Sequence, residues 1–366
     1  MKGNNMHSLD TEKTESQVRE RDTLSHIMVH FVRDSSGSPI GFIAIHRGTK
    51  KHPAFGATRV YDYEELKDAR DDALRLAYLM SYKNALTGSL YGGGKGVIIM
   101  SKEDQSNPKR REELFLSYAN EVNKLGGAFV TGADVGVSMD DVRLLRNHSP
   151  YIVGLSRNPV LHTAQGVLAA LRAALKVKFD NTNLHLYSYS ILGVGKVGFA
   201  ILEILSQAGA KVSVADINLS VIERVRREYP NVEILSPENL MYHSVDVFIP
   251  CAMGGVLNAQ NISTLPVKII VGSANNQLSS TYIGDKLHMQ GILYVPDYVA
   301  NGGGLISVIN EYEQNSDEEL VRQVNDIEDI VLSILQKSKE KNIAPHRIAD
   351  DIAEERINTL FLPRHH

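Results

Sequence analysis

Apolar and polar positions alternate in two short runs near the start of the chain, at about 27–33 and 40–46. The segment 34–39 between them, Asp-Ser-Ser-Gly-Ser-Pro, has the composition of a turn. The pattern therefore predicts an antiparallel pair of strands. Residues 1–22 before it are polar with almost no apolar side chains, and we expect them to form a mobile tail.

A stripe at helical spacing follows. Asp62 and Glu65 have the spacing of a capping box, which predicts a helix start at this point. Lys83 continues the stripe three residues beyond its last apolar member, so the buried face is expected to end in a charge. The stripe consists of Leu66, Ala69, Ala73, Leu76, Ala77 and Met80.

Three glycines at 92–94 precede Lys95 and an apolar run at 97–100. This order predicts a turn followed by a strand, with Lys95 at the junction, where the missing Cβ atoms permit close approach. A lysine held partly desolvated in such a place has a lowered pKa and can serve in acid/base chemistry. The earlier segment 52–59 shows little periodicity and is predicted as a loop, with Gly56 allowing close backbone approach.

Further punctuation divides the middle of the chain. Asn107-Pro108 predicts the start of an amphipathic helix to about 125, and Ser138 with Asp141 predicts another helix cap. Between them an apolar triplet at 128–130 leads to Asp134, which lies between glycines just past a strand end. Side chains at such positions of an α/β sheet often meet substrate. A helix is predicted over about 163–177.

The second half carries a dinucleotide fingerprint in its required context. A strand-like run at 184–192 leads into the glycine-rich turn, a helix follows to about 208, and a strand at 211–215 ends in Asp216. The glycines let a pyrophosphate reach the helix N-terminus, and the acid is placed for a ribose 2′-hydroxyl, which favours NAD over NADP. The turn consists of Gly193, Val194, Gly195, Lys196, Val197 and Gly198.

Three more strands, at about 245–249, 267–272 and 292–295, end in small or polar clusters that include Cys251, Ala252 and Asn276. The carboxyl ends of parallel strands meet at one sheet edge, so these clusters are expected to form the wall of the cofactor crevice. We therefore predict an α/β protein with a doubly wound dinucleotide-binding domain and a separate α/β substrate domain, with a cleft between them.

Length and composition agree with this plan. At 366 residues the chain exceeds one usual core, and 43% hydrophobic with 22% charged residues is typical of globular proteins. The net charge of −4 argues against a nucleic-acid or membrane surface. The single cysteine excludes an internal disulfide and a cysteine-based zinc set, so we expect no metal, a reducing compartment and a cytoplasmic location. The predicted divisions are a tail at 1–22, a substrate domain at 23–160 on which helices of 317–366 pack back, and a Rossmann domain at 161–316.

Six motifs resemble, in order and spacing, the glutamate/leucine/phenylalanine/valine dehydrogenases, and most closely those for branched-chain substrates such as leucine. The resemblance implies reversible, NAD-dependent oxidative deamination of an L-amino acid to a 2-oxo acid and ammonia. It also implies a homo-oligomer of at least two subunits. The motifs are MSYKNALTGSLYGGGKGVI, TGADVGVSMDD, LGVGKVG, PCAMGGVLN, VGSANNQL and YVPDYVANGGGLISV.

Site roles carry over by motif. Lys95 resembles the catalytic lysine, Lys83 the lysine that holds the substrate α-carboxylate, and Asp134 the acid that shuttles protons. Gly56 and Ala57 match the substrate-loop glycine pair, with alanine as a departure. Asn276 matches the asparagine near the nicotinamide ribose.

The same motifs imply an apolar side-chain pocket lined by Phe55, Met80, Gly132, Leu305 and Val308. Such a pocket favours leucine, valine and isoleucine, with phenylalanine or another aromatic amino acid as the alternative. A glutamate dehydrogenase is disfavoured because Phe55 stands where those enzymes carry a lysine. A regulator without turnover is disfavoured because Lys83, Lys95 and Asp134 are all present.

Overall fold

The computed structural model describes residues 26–252 and 254–361. The predicted tail at 1–22 lies outside the described residues. The chain divides into two compact units. Among the described residues, unit 1 contains 26–155 and 356–361, and unit 2 contains 156–252 and 254–355. The division thus falls five residues before the predicted boundary at 160/161.

Unit 1 is built on a five-stranded mixed sheet in the order β1-β2-β4-β3-β5. As predicted, the first two strands pair antiparallel. Strand β3, which was not predicted, runs parallel to both β4 and β5. Its elements are β1 (Met28–Arg33), β2 (Pro39–Ile45), β3 (Ala54–Tyr61), α1 (Leu66–Leu86), β4 (Gly92–Ile99), α2 (Lys102–Ser106), α3 (Pro108–Lys124), β5 (Phe129–Ala133) and α4 (Met139–His148).

Helices cover both faces of this sheet. Ala69, Ala73 and Ala77 of α1 pack on one face against Phe42 and Val97. The alternate residues of the same strands face a second core on the other side, because successive side chains of a strand point to opposite faces. That core includes Ile43, Ile98, Phe115, Tyr118 and Phe129.

Two predictions for the strands of unit 1 are wrong. The segment predicted as a loop at 52–59 forms most of β3, and the three glycines predicted as a turn lie inside β4. Both strands are buried on both faces, which removes the alternation that marks a half-exposed strand. The glycines serve tight packing: a Cβ on Gly94 would lie 2.7 Å from the Phe129 ring, and one on Gly56 would lie 1.8 Å from the Gly94 carbonyl oxygen.

Helix caps agree with the sequence in part. Ser138 and Asp141 form the predicted capping box of α4, and Asn107 caps α3. The capping box predicted for Asp62 and Glu65 is wrong. Helix α1 begins at Leu66 with Glu65 itself in the cap position, and no side-chain hydrogen bond caps it.

Unit 2 contains a six-stranded parallel sheet in the order β8-β7-β6-β9-β10-β11. This is the doubly wound order with its reversal between β6 and β9, where such folds bind dinucleotides. The elements are α5 (Pro159–Phe179), β6 (Ser188–Leu192), α6 (Lys196–Gln207), β7 (Lys211–Ala215), α7 (Leu219–Glu228), β8 (Glu233–Ile234), α8 (Pro237–Met241), β9 (Val247–Pro250), β10 (Ile269–Ile270), α9 (Thr281–Met289), β11 (Leu293–Tyr294), α10 (Asp297–Ala300), α11 (Gly303–Glu313), α12 (Asp317–Asn325), α13 (Ile327–Lys341) and α14 (Pro345–Phe361). Short 3₁₀ turns lie at Leu184–Leu186 and Ile262–Thr264.

The position of the C-terminal helices contradicts another prediction. We expected 317–366 to pack back on the first domain, but α12 and α13 pack against α5 within unit 2. Helix α5 is buried along Ala164–Leu175 on several sides, so it needs helices rather than solvent around it. Within the described part of this C-terminal segment, residues 356–361 alone group with unit 1. Across the described residues, no helix has the length and apolarity needed to span a bilayer.

Candidate active site

Three neighbouring strands bring the predicted substrate residues of unit 1 into one row. Ala57 of β3 lies opposite Lys95 of β4 on one side and opposite Gly132 of β5 on the other. Residues in register across a sheet share a face, so all three point toward the side that α1 covers. Asp134 follows β5 directly, and its backbone N–H donates to the Thr58 carbonyl at 3.0 Å.

The centre of this row is an ion pair. Lys95 Nζ lies 2.6 Å from Oδ2 of Asp134, and Lys95 is only 4% exposed. Burial lowers the pKa of Lys95, and the nearby Asp134 opposes that shift. Burial of Asp134 acts to raise its pKa, but the charges of Lys95 and Arg59 outweigh it and lower the value to about 2. The carboxylate therefore stays ionised beside a lysine that releases its proton more readily than a solvated one.

Arg59 is a second cation on the same carboxylate. Its Nε donates to Oδ2 of Asp134 at 3.1 Å, and its Nη1 donates to Oδ2 of Asp72 on α1 at 3.0 Å. Arg59 and Asp72 were not predicted as site residues. Arg59 could have been found only if β3 had been predicted as a strand, because it stands two residues after Ala57 and so shares its face.

The end of α1 is tied to the same strands. Nδ2 of Asn84 donates to the carbonyl oxygens of Phe55 at 3.3 Å and Gly92 at 2.9 Å. Lys83, the predicted carboxylate-binding residue, is the neighbour of Asn84 in the last turn of α1 and is half-buried, as is Met80. Phe55 shares the face of Ala57, but it has no exposed surface and its ring packs on Tyr91 at 5.0 Å. Phe55 is therefore part of the core on the side of the sheet that α1 covers.

The glycines of the fingerprint in unit 2 differ in what they make possible. Gly193 has a φ of +92°, which favours glycine in the turn after β6. A Cβ on Gly198 would lie 2.0 Å from the Gly193 carbonyl oxygen, so this glycine allows α6 to pack closely on the turn. A Cβ on Gly195 would meet nothing within 4 Å. The space beside Gly195 is therefore open, as a turn that a pyrophosphate approaches would require.

Asp216 lies at the end of β7, as predicted. Its Oδ2 accepts a hydrogen bond from the Val194 N–H at 2.7 Å, and its Oδ1 accepts one from the Asn218 N–H at 2.8 Å. Lys196 and Val197 begin α6 behind Gly195, with Lys196 exposed. The acid therefore braces the turn and stands beside it.

The other side of the sheet reversal is formed by residues after β9. Cys251 donates its N–H to the Leu192 carbonyl at 2.8 Å, and Ala252 lies 2.8 Å from where a Cβ on Gly193 would be. Burial raises the pKa of the Cys251 thiol, which fits a wall residue and not a nucleophile.

Farther along unit 2, Asn276 has a φ of +53° and accepts the Gly255 N–H on its carbonyl at 2.7 Å. Leu305 and Val308 are one turn apart on α11, with Leu305 buried and Val308 half-buried.

Family profiles match both units. The profile described as "Glu/Leu/Phe/Val dehydrogenase, dimerisation domain" matches residues 24–150, and "Glutamate/Leucine/Phenylalanine/Valine dehydrogenase" matches 156–361. The chain belongs to the Glu/Leu/Phe/Val dehydrogenase family. It is accordingly an amino acid dehydrogenase, an oxidoreductase that acts on CH–NH₂ donors.

Relatives within this family are named for different substrates. Leucine dehydrogenase of Geobacillus stearothermophilus is 36% identical over 345 residues, covering 93% of this chain and 92% of that protein. L-tryptophan dehydrogenase of Nostoc punctiforme is 36% identical, covering 93% and 95%, and its crystal structure superimposes with a TM-score of 0.80 over 95% of this chain and 99% of that one. Phenylalanine dehydrogenase of Bacillus thermotolerans is 36% identical over 91% and 88%. Because the chain is equally identical to dehydrogenases named for leucine, tryptophan and phenylalanine, sequence identity does not fix its substrate.

Proposed function

We propose that this dehydrogenase catalyses the reversible, NAD-dependent oxidative deamination of an apolar L-amino acid, with leucine, valine and isoleucine favoured. The amino acid, NAD⁺ and water give the 2-oxo acid, ammonium, NADH and a proton. The observation that carries the proposal is the buried Lys95–Asp134 pair at 2.6 Å, in one row with Ala57 and Gly132.

The site residues of unit 1 have separate roles in this reaction. Lys83 supplies a cation for the substrate α-carboxylate, and the Asn84 hydrogen bonds hold the turn that carries it. Ala57 keeps the strand beside Lys95 free of bulk, and Gly56 lets β3 and β4 pack closely. The bound dinucleotide supplies the hydride acceptor.

Lys95 and Asp134 share the proton transfers that follow. Water adds to the iminium carbon formed when the Cα hydride leaves, and the resulting carbinolamine collapses to the oxo acid and ammonia. Both steps need a group that takes and returns a proton near neutral pH. A buried lysine with a lowered pKa can do so, and the ionised Asp134 at 2.6 Å stabilises its protonated form.

The family motifs assign five residues to the side-chain pocket, and the substrate class follows from them. These are Phe55, Met80 and Gly132 of unit 1 and Leu305 and Val308 of unit 2. None of these side chains is polar, so the pocket rewards apolar surface and cannot satisfy a hydroxyl, amide or carboxylate. Aromatic amino acids, phenylalanine first, are the second candidate, because Gly132 has no side chain and widens the space. Glutamate would leave its carboxylate without a cation near Phe55.

NAD is the proposed cofactor, bound along Gly193–Gly198, with Asp216 on the ribose and Cys251, Ala252 and Asn276 along the crevice wall. A carboxylate repels a 2′-phosphate. Asp216→Ala should therefore relax preference toward NADP, and Asp216→Ser should do so while keeping an acceptor for the Val194 N–H. A wild-type enzyme that already prefers NADP would refute the ribose assignment.

One assay tests the proposal. Purified protein is mixed with NAD and a panel of L-amino acids, and the absorbance of the reduced cofactor is followed. We expect turnover with leucine, valine and isoleucine to exceed that with serine, asparagine and glutamate by at least about 10²-fold in kcat/KM. Best turnover with glutamate would overturn the apolar pocket, and no turnover with any amino acid would favour a regulator.

A further inference from the structure

Arg59 connects the reactive pair to a second carboxylate. The Asp134 oxygen that accepts the hydrogen bond from Lys95 at 2.6 Å also accepts one from Arg59 Nε at 3.1 Å. Through Nη1 the same guanidinium reaches Asp72 at 3.0 Å. Lys95 and Arg59 therefore both donate to Oδ2 of Asp134, and Arg59 also binds Asp72.

Asp72 is held in turn by two further side chains. Asp72 on α1 accepts a hydrogen bond from the Tyr63 hydroxyl at 2.6 Å and another from Arg75 at 2.7 Å. The side chains of Arg59 and Asp72 are 22% and 17% exposed, so solvent screens this pair less than an open surface pair. A planar guanidinium can hold two carboxylates at fixed angles, whereas a lysine ammonium offers one nitrogen on a flexible stem.

We infer that Arg59 is a positioning residue that holds the Asp134 carboxylate in place against Lys95 and links it to Asp72. The inference rests on the proposed function, in which that pair moves protons. Without Arg59 the Asp134 side chain could rotate away from the amine, and the lysine would lose the partner that stabilises its protonated form. Arg59 and Asp72 both lie outside the motifs that suggested the family.

The charged groups that face Lys95 have opposing effects. Arg59 on β3 disfavours the protonated amine, whereas Asp134 after β5 and Asp72 on α1 favour it. If Arg59 acted only through its charge, Arg59→Gln would make Lys95 harder to deprotonate. The positioning role predicts the opposite shift, because loss of the Asp134 contact removes the largest interaction that favours the protonated amine. Asp72→Asn should also make Lys95 easier to deprotonate, since it removes a favourable charge and releases Arg59.

The experiment compares Arg59→Gln, Arg59→Lys and Asp72→Asn with the control Arg70→Gln, which removes an exposed arginine of α1 whose partner is its neighbour Asp71. Steady-state rates with NAD and the best amino acid are measured across pH. For Arg59→Gln we expect kcat to fall about 10- to 100-fold, with a smaller change in KM because Lys83 is untouched. The midpoint of the kcat/KM profile should move down in both Arg59→Gln and Asp72→Asn, whereas a pure charge effect of Arg59 would move it up in Arg59→Gln. Arg59→Lys should recover part of the rate, and the control should match wild type.

A second readout does not depend on turnover. Trace acetylation of Lys95 at a series of pH values, followed by peptide mass spectrometry, reports the deprotonation midpoint of that amine directly. The same downward shifts are expected, and a midpoint that stays unchanged or rises in Arg59→Gln would overturn the inference. If wild type oxidises no amino acid, the proposed function fails while the labelling still decides the role of Arg59. If Arg59→Gln does not fold, the comparison of Arg59→Lys with Asp72→Asn decides.

Discussion

At the scale of residues, a buried ammonium group needs compensation for its lost hydration, and Asp134 provides it for Lys95. The carboxylate is better supported than the amine, because Arg59 also binds it. This asymmetry has a practical consequence. Removing Lys95 leaves Asp134 with a cation, so the site can lose its amine without leaving a buried charge unpaired.

We therefore expect Lys95→Ala to lower kcat by at least about 10³-fold while the protein remains folded. Dinucleotide affinity should be nearly unchanged, because Lys95 belongs to unit 1 and the fingerprint to unit 2. Initial rates and calorimetric titration with NAD measure the two effects, with the exposed Lys67→Ala as control. Equal loss of turnover and NAD binding in a folded variant would contradict the assignment.

Phe55 offers a test of the pocket. Phe55→Ala opens space behind Ala57, so we expect kcat/KM for phenylalanine to rise relative to leucine, and stability to fall by about 3–5 kcal/mol. Phe115→Ala is a matched control, since Phe115 is equally buried but lies in the core on the opposite face of the sheet. It should lose similar stability without changing selectivity. An unaltered leucine-to-phenylalanine ratio in Phe55→Ala would show that Phe55 does not shape the pocket.

At the scale of elements, the turn from β6 to α6 makes two glycine substitutions behave differently. Gly195→Ala should leave the melting temperature of the free protein unchanged but weaken NAD binding at least about tenfold, because the added methyl meets no protein atom and enters the ligand's space. Gly198→Ala should lower both, because its methyl would lie 2.0 Å from the Gly193 carbonyl. Thermal melts with and without NAD measure both effects. Undiminished NAD binding in Gly195→Ala would contradict the cofactor site.

Elements with a local signature could be predicted from the sequence, and the others could not. The strand, glycine turn, helix and acid from β6 to Asp216 are adjacent in the chain, and the structure places them as expected. Strand β3 has no local signature, because helices cover both faces of the sheet and the strands that pair with it, β4 and β5, are distant in sequence. Missing β3 also hid Arg59 and its bond to Asp72, so the network around Lys95 was only half predicted.

At the scale of the whole molecule, β1 lies at the edge of the unit 1 sheet with apolar side chains exposed, among them Val29 at 42% and Phe31 at 44%. An edge strand with unpaired backbone groups and apolar side chains is suited to pairing with another strand. The family profile over this unit is described as a dimerisation domain, which suggests an oligomer and points to a second copy of this chain as the occupant.

Phe31→Glu should therefore reduce the assembly toward monomers, because it places a charge at the joined strands. Sedimentation at micromolar concentration measures the change, and Leu90→Glu, which alters an exposed leucine away from β1, is the control. A wild-type monomer would count against the oligomer. An assembly that tolerates Phe31→Glu would place the interface on another surface.

The glycines of β4 have a consequence for the kinetics of folding. Gly92, Gly93, Gly94 and Gly96 contribute no side chains to hold the centre of the sheet, and glycine loses more conformational freedom on ordering than any other residue. This strand gains order only when α1 and α3 close over it, so a partly formed sheet has little to stabilise it. The amide hydrogens of β4 should consequently exchange with solvent only when the whole of unit 1 unfolds, at one common rate.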